Sequence, residues 1–205
     1  NEKFIKEKLK NYYFYRNQGF LEINREIVKK YPKFLVFNFL RIAIFRLGNK
    51  RYFSKAEILE NLYIKALQDK SMTYSLGGCI LVFNKRKIFI YREYNDLEKG
   101  TQMLPGYKRL IWDNRFEIIN NTNVLIRILP LGSLLNNSFY KKSFKINKKK
   151  IKTIPFLARK TLPAIFTLEG LLYIPHLNIC ELNLLKMSID SHTIDFFNKK
   201  YDNII

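Results

Sequence analysis

The chain has 205 residues, 47% of them hydrophobic and 15% aromatic, and its formal net charge is +20. This apolar content can build one large or two small cores, so the composition excludes a disordered basic tail. The most apolar stretch, residues 34–47, is interrupted by Asn38, Arg41 and Arg46 and falls short of the ~20 residues that cross a bilayer. We therefore expect a buried helix there, no membrane anchor and, since the first ten residues are charged, no secretory signal.

The side chains that usually carry chemistry are sparse. Cys79 and Cys180 lie far apart without the spacing of a zinc site, which favours reduced cysteines in a cytoplasmic protein. Gly77-Gly78 falls within a strand pattern and is more typical of a bulge or close backbone packing than of a phosphate-binding loop. His176 has no evident partner and is expected to be structural. The sequence thus predicts no catalytic residue and no metal site in this chain.

The first third of the chain is expected to be a helical domain over residues 1–70. Charged and aromatic residues alternate at helical spacing over 2–15, and after Gly19 residues 20–23 alternate like a short strand. Further helices are predicted from Pro32 to Leu47, with Gly48 at the C-terminal end, and over 55–68, where Ser54 and Glu57 form a capping-box pattern.

From residue 71 the pattern changes to short strands, which predicts an α+β domain over residues 71–205 packed on the helical one. Hairpins are expected at Asn84-Lys85-Arg86, at Asp113-Asn114 and at Leu168-Glu169-Gly170. A short helix or turn is expected over 148–159. The predicted strands cover residues 72–83, 87–92, 110–112, 115–119, 123–129, 164–167 and 171–174.

One long segment of the chain is basic throughout. Between Glu117 and Glu169 there is no acidic residue, but there are ten cations. Charge of one sign crowded into one region favours an anionic partner such as nucleic acid. From the charge alone, a lysine-rich face that is simply solvated explains the segment equally well. Aromatic residues also adjoin cations at 12–16 and 139–142, where exposed rings could stack on unpaired bases; most aromatic residues in such a chain belong to the core.

A linked set of motifs is more specific. Trp112-Asp113-Asn114-Arg115-Phe116 precedes Leu129-Pro130-Leu131-Gly132, and the lysine run follows. After it come Pro155-Phe156-Leu157-Ala158-Arg159, Leu162-Pro163-Ala164-Ile165 and a Gly-rich hairpin that ends at Pro175. This order resembles the C-terminal part of the bacterial tRNA(Ile)-lysidine synthetase family, and residues 32–48 resemble its helical middle domain. The resemblance covers most of the chain and implies a substrate-recognition module that also occurs in the β subunit of phenylalanyl-tRNA synthetase.

The resemblance implies a role in tRNA modification. The family uses ATP, with Mg²⁺, to adenylate a wobble cytidine in isoleucine tRNA, and free lysine then displaces AMP. Those steps belong to an N-terminal domain with a Ser-Gly-Gly-x-Asp-Ser motif; the only double glycine here, Gly77-Gly78, lacks the Asp-Ser that follows. We therefore expect no cofactor in this chain, no activity of its own and isoleucine tRNA as partner, with lysine bound only through the other domain.

The tRNA contacts are predicted on basic residues. Pro155 and Pro163 bracket a short turn that should hold Arg159 and Lys160 in place, and arginine can fork onto phosphate. An alternative of another class is a stand-alone basic protein that docks on RNA or an anionic membrane surface without enzymatic activity. The predicted nucleic-acid-binding residues are Lys148, Lys149, Lys150, Lys152, Arg159, Lys160, Arg115, Arg41 and Arg46.

Overall fold

A computed structural model describes residues 2–50, 55–68, 70–97, 100–103, 105–106, 108–135, 151–168, 170, 172–180 and 189–193. These residues form a mixed α+β fold of short helices and small antiparallel sheets, as predicted. The α-helices are α1 (Glu2–Leu9), α2 (Ile27–Lys30), α3 (Lys33–Gly48), α4 (Ala56–Leu67), α5 (Leu131–Leu135) and α6 (Phe156–Lys160), and 3₁₀ turns cover Tyr94–Asp96 and Pro175–Leu177. The strands are β1 (Tyr13–Arg16), β2 (Phe20–Asn24), β3 (Met72–Leu76), β4 (Cys79–Phe83), β5 (Lys87–Arg92), β6 (Thr101–Met103), β7 (Lys108–Trp112), β8 (Phe116–Asn120), β9 (Ile126–Pro130), β10 (Pro163–Thr167), β11 (Leu172–Ile174), β12 (Ile179–Cys180) and β13 (Ile189–Thr193).

The chain divides into two compact units, and the division falls later than residue 70. The described part of the first unit lies in Asn1–Arg16 and Phe20–Glu93, and that of the second in Asn17–Gly19 and from Tyr94 onward. The first unit is not purely helical, because β2 pairs with β5 over Leu21↔Ile90 and Ile23↔Ile88. That long-range pairing draws residues 71–93 into the same unit as the helices.

A five-stranded sheet of order β1-β2-β5-β4-β3 covers one side of the first unit's core. Helix α3 packs on it and buries residues around most of its circumference, as expected of the apolar stretch 34–47. Helix α1 ends at Leu9 rather than Tyr15, because Tyr13–Arg16 pairs with β2 as an edge strand. Ser54 of the predicted capping box lies outside the described residues.

Gly77-Gly78 forms a turn, and this corrects the prediction of one strand over 72–83. Both glycines have positive φ, 59° and 76°, so β3 and β4 are joined by a two-residue hairpin with Leu76 opposite Cys79. The predicted close backbone packing is confirmed. A Cβ on Gly48 would stand 1.7 Å from the carbonyl oxygen of Gly77, so only glycine fits at the end of α3.

Two sheets, of five and three strands, build the second unit, with strand orders β12-β11-β10-β9-β6 and β13-β8-β7. The predicted hairpin at Asp113-Asn114 is confirmed: both residues have left-handed φ, 50° and 53°, which matches a type I′ turn between β7 and β8. The predicted pairing after Thr167 is also confirmed, since Ile165 of β10 lies opposite Tyr173 of β11.

Candidate nucleic-acid interface

The structure places Arg159 and Lys160 on a short turn, residues 155–163, here called the basic turn. Pro155 precedes α6 with φ −51° and ψ 138°, and its carbonyl oxygen accepts a hydrogen bond from Arg159 N at 2.9 Å. Pro163 opens β10 opposite Pro130 of β9, and Leu131 N donates to Leu162 O at 2.8 Å. Both ends of the basic turn are therefore held by backbone pairing.

Arg115 stabilises the basic turn by hydrogen bonds from its buried side. Its guanidinium donates to the Thr161 carbonyl at 2.7 Å, to Thr161 Oγ1 at 3.1 Å and to the Gly19 carbonyl at 3.1 Å. The Asp113 carboxylate accepts from its Nε at 2.6 Å, and the arginine is 0% exposed. Buried polar groups need such complete pairing, so Arg115 is a structural residue in this conformation, and its guanidinium is enclosed rather than offered to a phosphate.

The outer side of the basic turn combines cations with an exposed ring. Phe156 is 55% exposed, and the Arg159 guanidinium and the Lys160 ammonium lie 5.4 Å and 4.6 Å from its ring centroid. Cations at this distance from an aromatic face are attracted to it. Phe156 thus confines two long side chains that would otherwise sample many rotamers, and it keeps their charges together.

Arg159 keeps an unused hydrogen-bond donor. Its Nε is buried, and no acceptor for it is present among the described residues. A buried donor without an acceptor is costly, so a change of the Arg159 rotamer that brings this donor to an external oxygen, such as that of a phosphate, would be favourable.

Tyr94 and Gly132 pack close to Lys160. The Lys160 ammonium lies 5.8 Å from the Tyr94 ring, whose hydroxyl shares a hydrogen bond of 3.0 Å with Ser133 Oγ. A Cβ on Gly132 would stand 2.5 Å from that ring and 3.0 Å from the Lys160 carbonyl. The glycine after Pro130-Leu131 is therefore explained by the close approach of the tyrosine, a contact that sequence spacing does not reveal.

His176, which the sequence predicts to be structural, lies in the same unit. Its ring meets Phe116 edge-on at 4.9 Å, and its Nε2 is buried without a described partner. Burial, and then the charge of Arg115, lowers the pKa of His176 to about 4. The imidazole is therefore neutral at physiological pH.

The other predicted site residues are distributed over both units. Lys152 is exposed beside the basic turn, and Lys148, Lys149 and Lys150 lie outside the described residues. Arg41 is half-buried on α3. Arg46, on the same helix, is 5% exposed and ion-paired with Glu2. The structure thus gathers Lys160, Arg159 and, beneath them, Arg115, whereas Arg41 and Arg46 belong to the first unit.

Within the described ranges, no group of three or more histidine, cysteine, aspartate or glutamate side chains could hold a metal ion. Among the helices that the structure describes, none is long and apolar enough to cross a membrane.

Comparisons with known proteins point to one enzyme family. The chain is 27% identical over 166 residues to the tRNA(Ile)-lysidine synthase of Rickettsia bellii, covering 79% of this chain and 37% of the relative. It is 30% identical over 160 residues to that of Rickettsia prowazekii, covering 73% and 36%, and 31% identical over 159 residues to that of Rickettsia rickettsii, covering 71% and 30%. No family model matches the chain.

The described residues define an α+β protein of two units with a braced basic turn. More particularly, the chain is a distant homologue of the tRNA(Ile)-lysidine synthases and corresponds to part of such a protein. It spans about a third of the length of the curated relatives that it matches.

Proposed function

We propose that the chain is the tRNA-binding portion of a tRNA(Ile)-lysidine synthase. In this role it holds isoleucine tRNA while a separate domain, which supplies the ATP, Mg²⁺ and lysine sites, joins lysine to the wobble cytidine. The homology over 71–79% of the chain and the net charge of +20 support this role. The observation that carries it is the basic turn, where the cations of Arg159 and Lys160 both lie against the exposed ring of Phe156 and Arg159 keeps an unused donor.

RNA helices are recognised mostly through phosphate and 2′-hydroxyl oxygens, which require donors at fixed positions rather than a catalytic group. Arg159 would offer its planar fork to one phosphate, and Lys160 would act as a point charge toward the next. Lys152, which is exposed close to the basic turn in sequence, would add to the same positive potential. Because Arg115 and Arg46 are enclosed by protein, we place the phosphate contacts on cations that are at least partly exposed and assign these two arginines to the fold.

Holding a large substrate in register can lower a reaction barrier considerably. Positioning of reactants contributes up to roughly 7–11 kcal/mol in favourable intramolecular systems. In the proposed enzyme the binding portion would serve this purpose by keeping one anticodon base at a distant active site. The 205-residue chain by itself is then expected to bind tRNA but not to release AMP when lysine and ATP are supplied.

The test is tRNA binding by the 205-residue chain as a function of salt, measured by filter binding. If about five cations meet phosphates, log K falls with log salt at a slope of roughly −3.5 to −4.5. The double variant Arg159→Ala/Lys160→Ala should lose at least roughly tenfold in affinity, since a hydrogen bond to a charged group contributes about 1.5–3 kcal/mol.

Lys108→Ala is the matched control, because Lys108 is exposed in the same unit but lies on β7, away from the basic turn in sequence. Affinity that does not change with salt would exclude a phosphate-binding function. An equal loss in the control and the double variant would remove the basic turn from the interface. A reading frame that continues upstream in phase into Ser-Gly-Gly-x-Asp-Ser would distinguish a ligase from a stand-alone binding protein.

A further inference from the structure

The first unit contains a basic cleft that the sequence did not predict as a site. Its volume is about 480 Å³, within the ~300–1,000 Å³ of ordinary ligand sites. Six cations and two carboxylates line it, and Phe14 stands at its wall. The cations are Arg16, Arg25, Lys29, Lys85, Arg86 and Lys87.

A buried carboxylate fixes two of these cations. Glu22 is 8% exposed and forms ion pairs with both Arg16 and Lys87, whose side chains are 45% and 50% exposed. Burial raises the pKa of Glu22, but the hydrogen bonds and charges of Lys87 and Arg16 outweigh that effect and leave the pKa below its ordinary value. Glu22 therefore stays ionised and keeps both cations at the cleft.

A buried arginine fixes the turn that presents the next two cations. Arg25 donates to the Asn84 carbonyl at 2.5 Å and to the Ala66 carbonyl at 3.0 Å. The Asn84 side chain in turn accepts from Arg86 N at 3.0 Å and from Lys87 N at 2.7 Å. The backbone of this hairpin turn is thus ordered on both sides, while the side chains of Lys85 and Arg86 remain exposed.

Phe14 adds an aromatic surface to this positive cleft. It lies on the edge strand β1, is 56% exposed, and has the Arg16 guanidinium 5.4 Å from its ring centroid. Burying this ring would be favourable, yet the described part of the fold leaves it in solvent. An aromatic side chain beside a cationic groove is the arrangement that proteins use for unpaired nucleotides.

We infer that the basic cleft binds an unpaired segment of RNA, with one base stacked on Phe14 and the flanking phosphates on Lys85 and Arg86. The identity of the RNA as tRNA rests on the proposed function, but the preference for single strands does not. A duplex keeps its bases stacked inside and could not use the ring. An acidic peptide could use the cations, but it would gain no stacking from Phe14.

Fluorescence anisotropy with a labelled oligouridylate and the 205-residue chain tests this inference. Phe14→Leu removes the aromatic face but keeps an apolar side chain, and it should weaken binding by roughly 5- to 100-fold. Lys85→Glu/Arg86→Glu should weaken binding further. Phe34→Leu is the matched control, since Phe34 is 63% exposed on α3 of the same unit and does not line this cleft.

Phe14→Trp supplies a second readout that does not depend on loss of binding. A tryptophan at this position should keep the affinity, and its fluorescence should be quenched when a base stacks on it. The wild-type chain provides the background, because its single tryptophan, Trp112, is 3% exposed and should not respond.

Two results would overturn the basic cleft as a single-strand site: affinity within twofold of wild type for Phe14→Leu, or an unquenched Phe14→Trp in the presence of saturating RNA. Competition by polyglutamate as effective as that of oligouridylate would also overturn it in favour of an acidic peptide.

The two proposals can fail separately. If Arg159→Ala/Lys160→Ala weakens tRNA binding while Phe14→Leu leaves oligouridylate binding intact, the single-strand site in the basic cleft is wrong and the proposed function stands. If Phe14→Leu weakens oligouridylate binding while tRNA binding is unchanged by Arg159→Ala/Lys160→Ala and by high salt, the proposed function is wrong and the single-strand site stands.

Discussion

Each unit places a buried arginine beneath a turn that carries at least partly exposed cations, but the two arginines have different partners. Arg25, in the first unit, is 4% exposed and donates to backbone carbonyls, with no carboxylate paired to it among the described residues. Arg115, in the second unit, is 0% exposed and adds a buried carboxylate, Asp113, to its carbonyl partners. Among the described residues, Arg25 is thus held by backbone carbonyls, whereas Arg115 also has a carboxylate of opposite charge beside it.

The difference has an energetic consequence. Removing a residue whose partners are carbonyls leaves polar groups unsatisfied, at about 1–3 kcal/mol, and water can reach some of them. Removing one member of a buried ion pair leaves an isolated charge, at about 3–5 kcal/mol. The second unit should therefore depend more heavily on its buried arginine than the first.

The largest expected effect follows from that comparison. Arg115→Met should destabilise the second unit by about 3–5 kcal/mol because it removes the cationic partner of the buried Asp113 carboxylate. Arg25→Met should cost the first unit only about 1–3 kcal/mol. Urea unfolding followed by Trp112 fluorescence reports on the second unit, and far-ultraviolet circular dichroism reports on both.

The double variant Asp113→Asn/Arg115→Met is the control for the charge argument. It removes both members of the pair, so it should be less destabilised than Arg115→Met alone. If the double variant unfolds at the same or lower urea concentration as the single variant, the orphaned charge is not the cause. Equal costs at Arg25 and Arg115 would remove the distinction between the two units.

The next prediction asks which region carries the tRNA surface. Charge reversal of Lys149, Lys150 and Lys152 to glutamate should weaken tRNA binding by at least roughly 100-fold, since several charge-assisted contacts are replaced by repulsion. Reversal of Lys6, Lys8 and Lys10 in the first unit should do less, because Glu2 and Glu7 already reduce the positive potential there. Filter binding at one fixed salt concentration compares the two triple variants.

Circular dichroism serves as the folding control for both variants. A greater loss of affinity in the 6, 8, 10 variant than in the 149, 150, 152 variant would move the principal surface to the first unit.

The remaining prediction concerns pH. His176 has its pKa lowered to about 4 in the folded chain, against about 6.5 when unfolded, so between these values the unfolded chain binds more protons. The stability of the second unit should therefore decrease as the pH falls from about 6.5 to 4, by at most ~1.4 kcal/mol per pH unit. Urea midpoints from Trp112 fluorescence at several pH values measure this, and His176→Leu should flatten the dependence in that window. Parallel pH profiles in the two proteins would show that His176 does not titrate as stated.

The local sequence pattern predicted the structure correctly where the conformation of a segment does not depend on distant residues. The apolar run 34–47 is too long for one strand and forms a buried helix, and Asp113-Asn114 adopts the left-handed conformation that its turn needs. Pattern failed at Tyr13–Arg16, since its strand conformation depends on pairing with Phe20–Asn24. It failed again at Gly77-Gly78, where two strands separated by two glycines had the periodicity of one.

The candidate site was only partly predictable for a related reason. Charge and proline spacing led to Arg159 and Lys160, and both lie on the basic turn. Spacing could not show that Arg115 points inward to Thr161, or that Phe14 borders a cleft formed with residues far along the chain. Whether a cation faces solvent is decided by what packs over it.

By itself, the sequence determined the α+β composition, the positive charge, most short-range hairpins and the likeness to tRNA(Ile)-lysidine synthetases, because these depend on residue identity and local spacing. Only the tertiary structure decided the division after Glu93 and the buried positions of Arg25 and Arg115. It also revealed the unused donor of Arg159. The physical reason is that burial and hydrogen-bond partnership arise from residues distant in the chain, and a long-range contact leaves no period in the sequence.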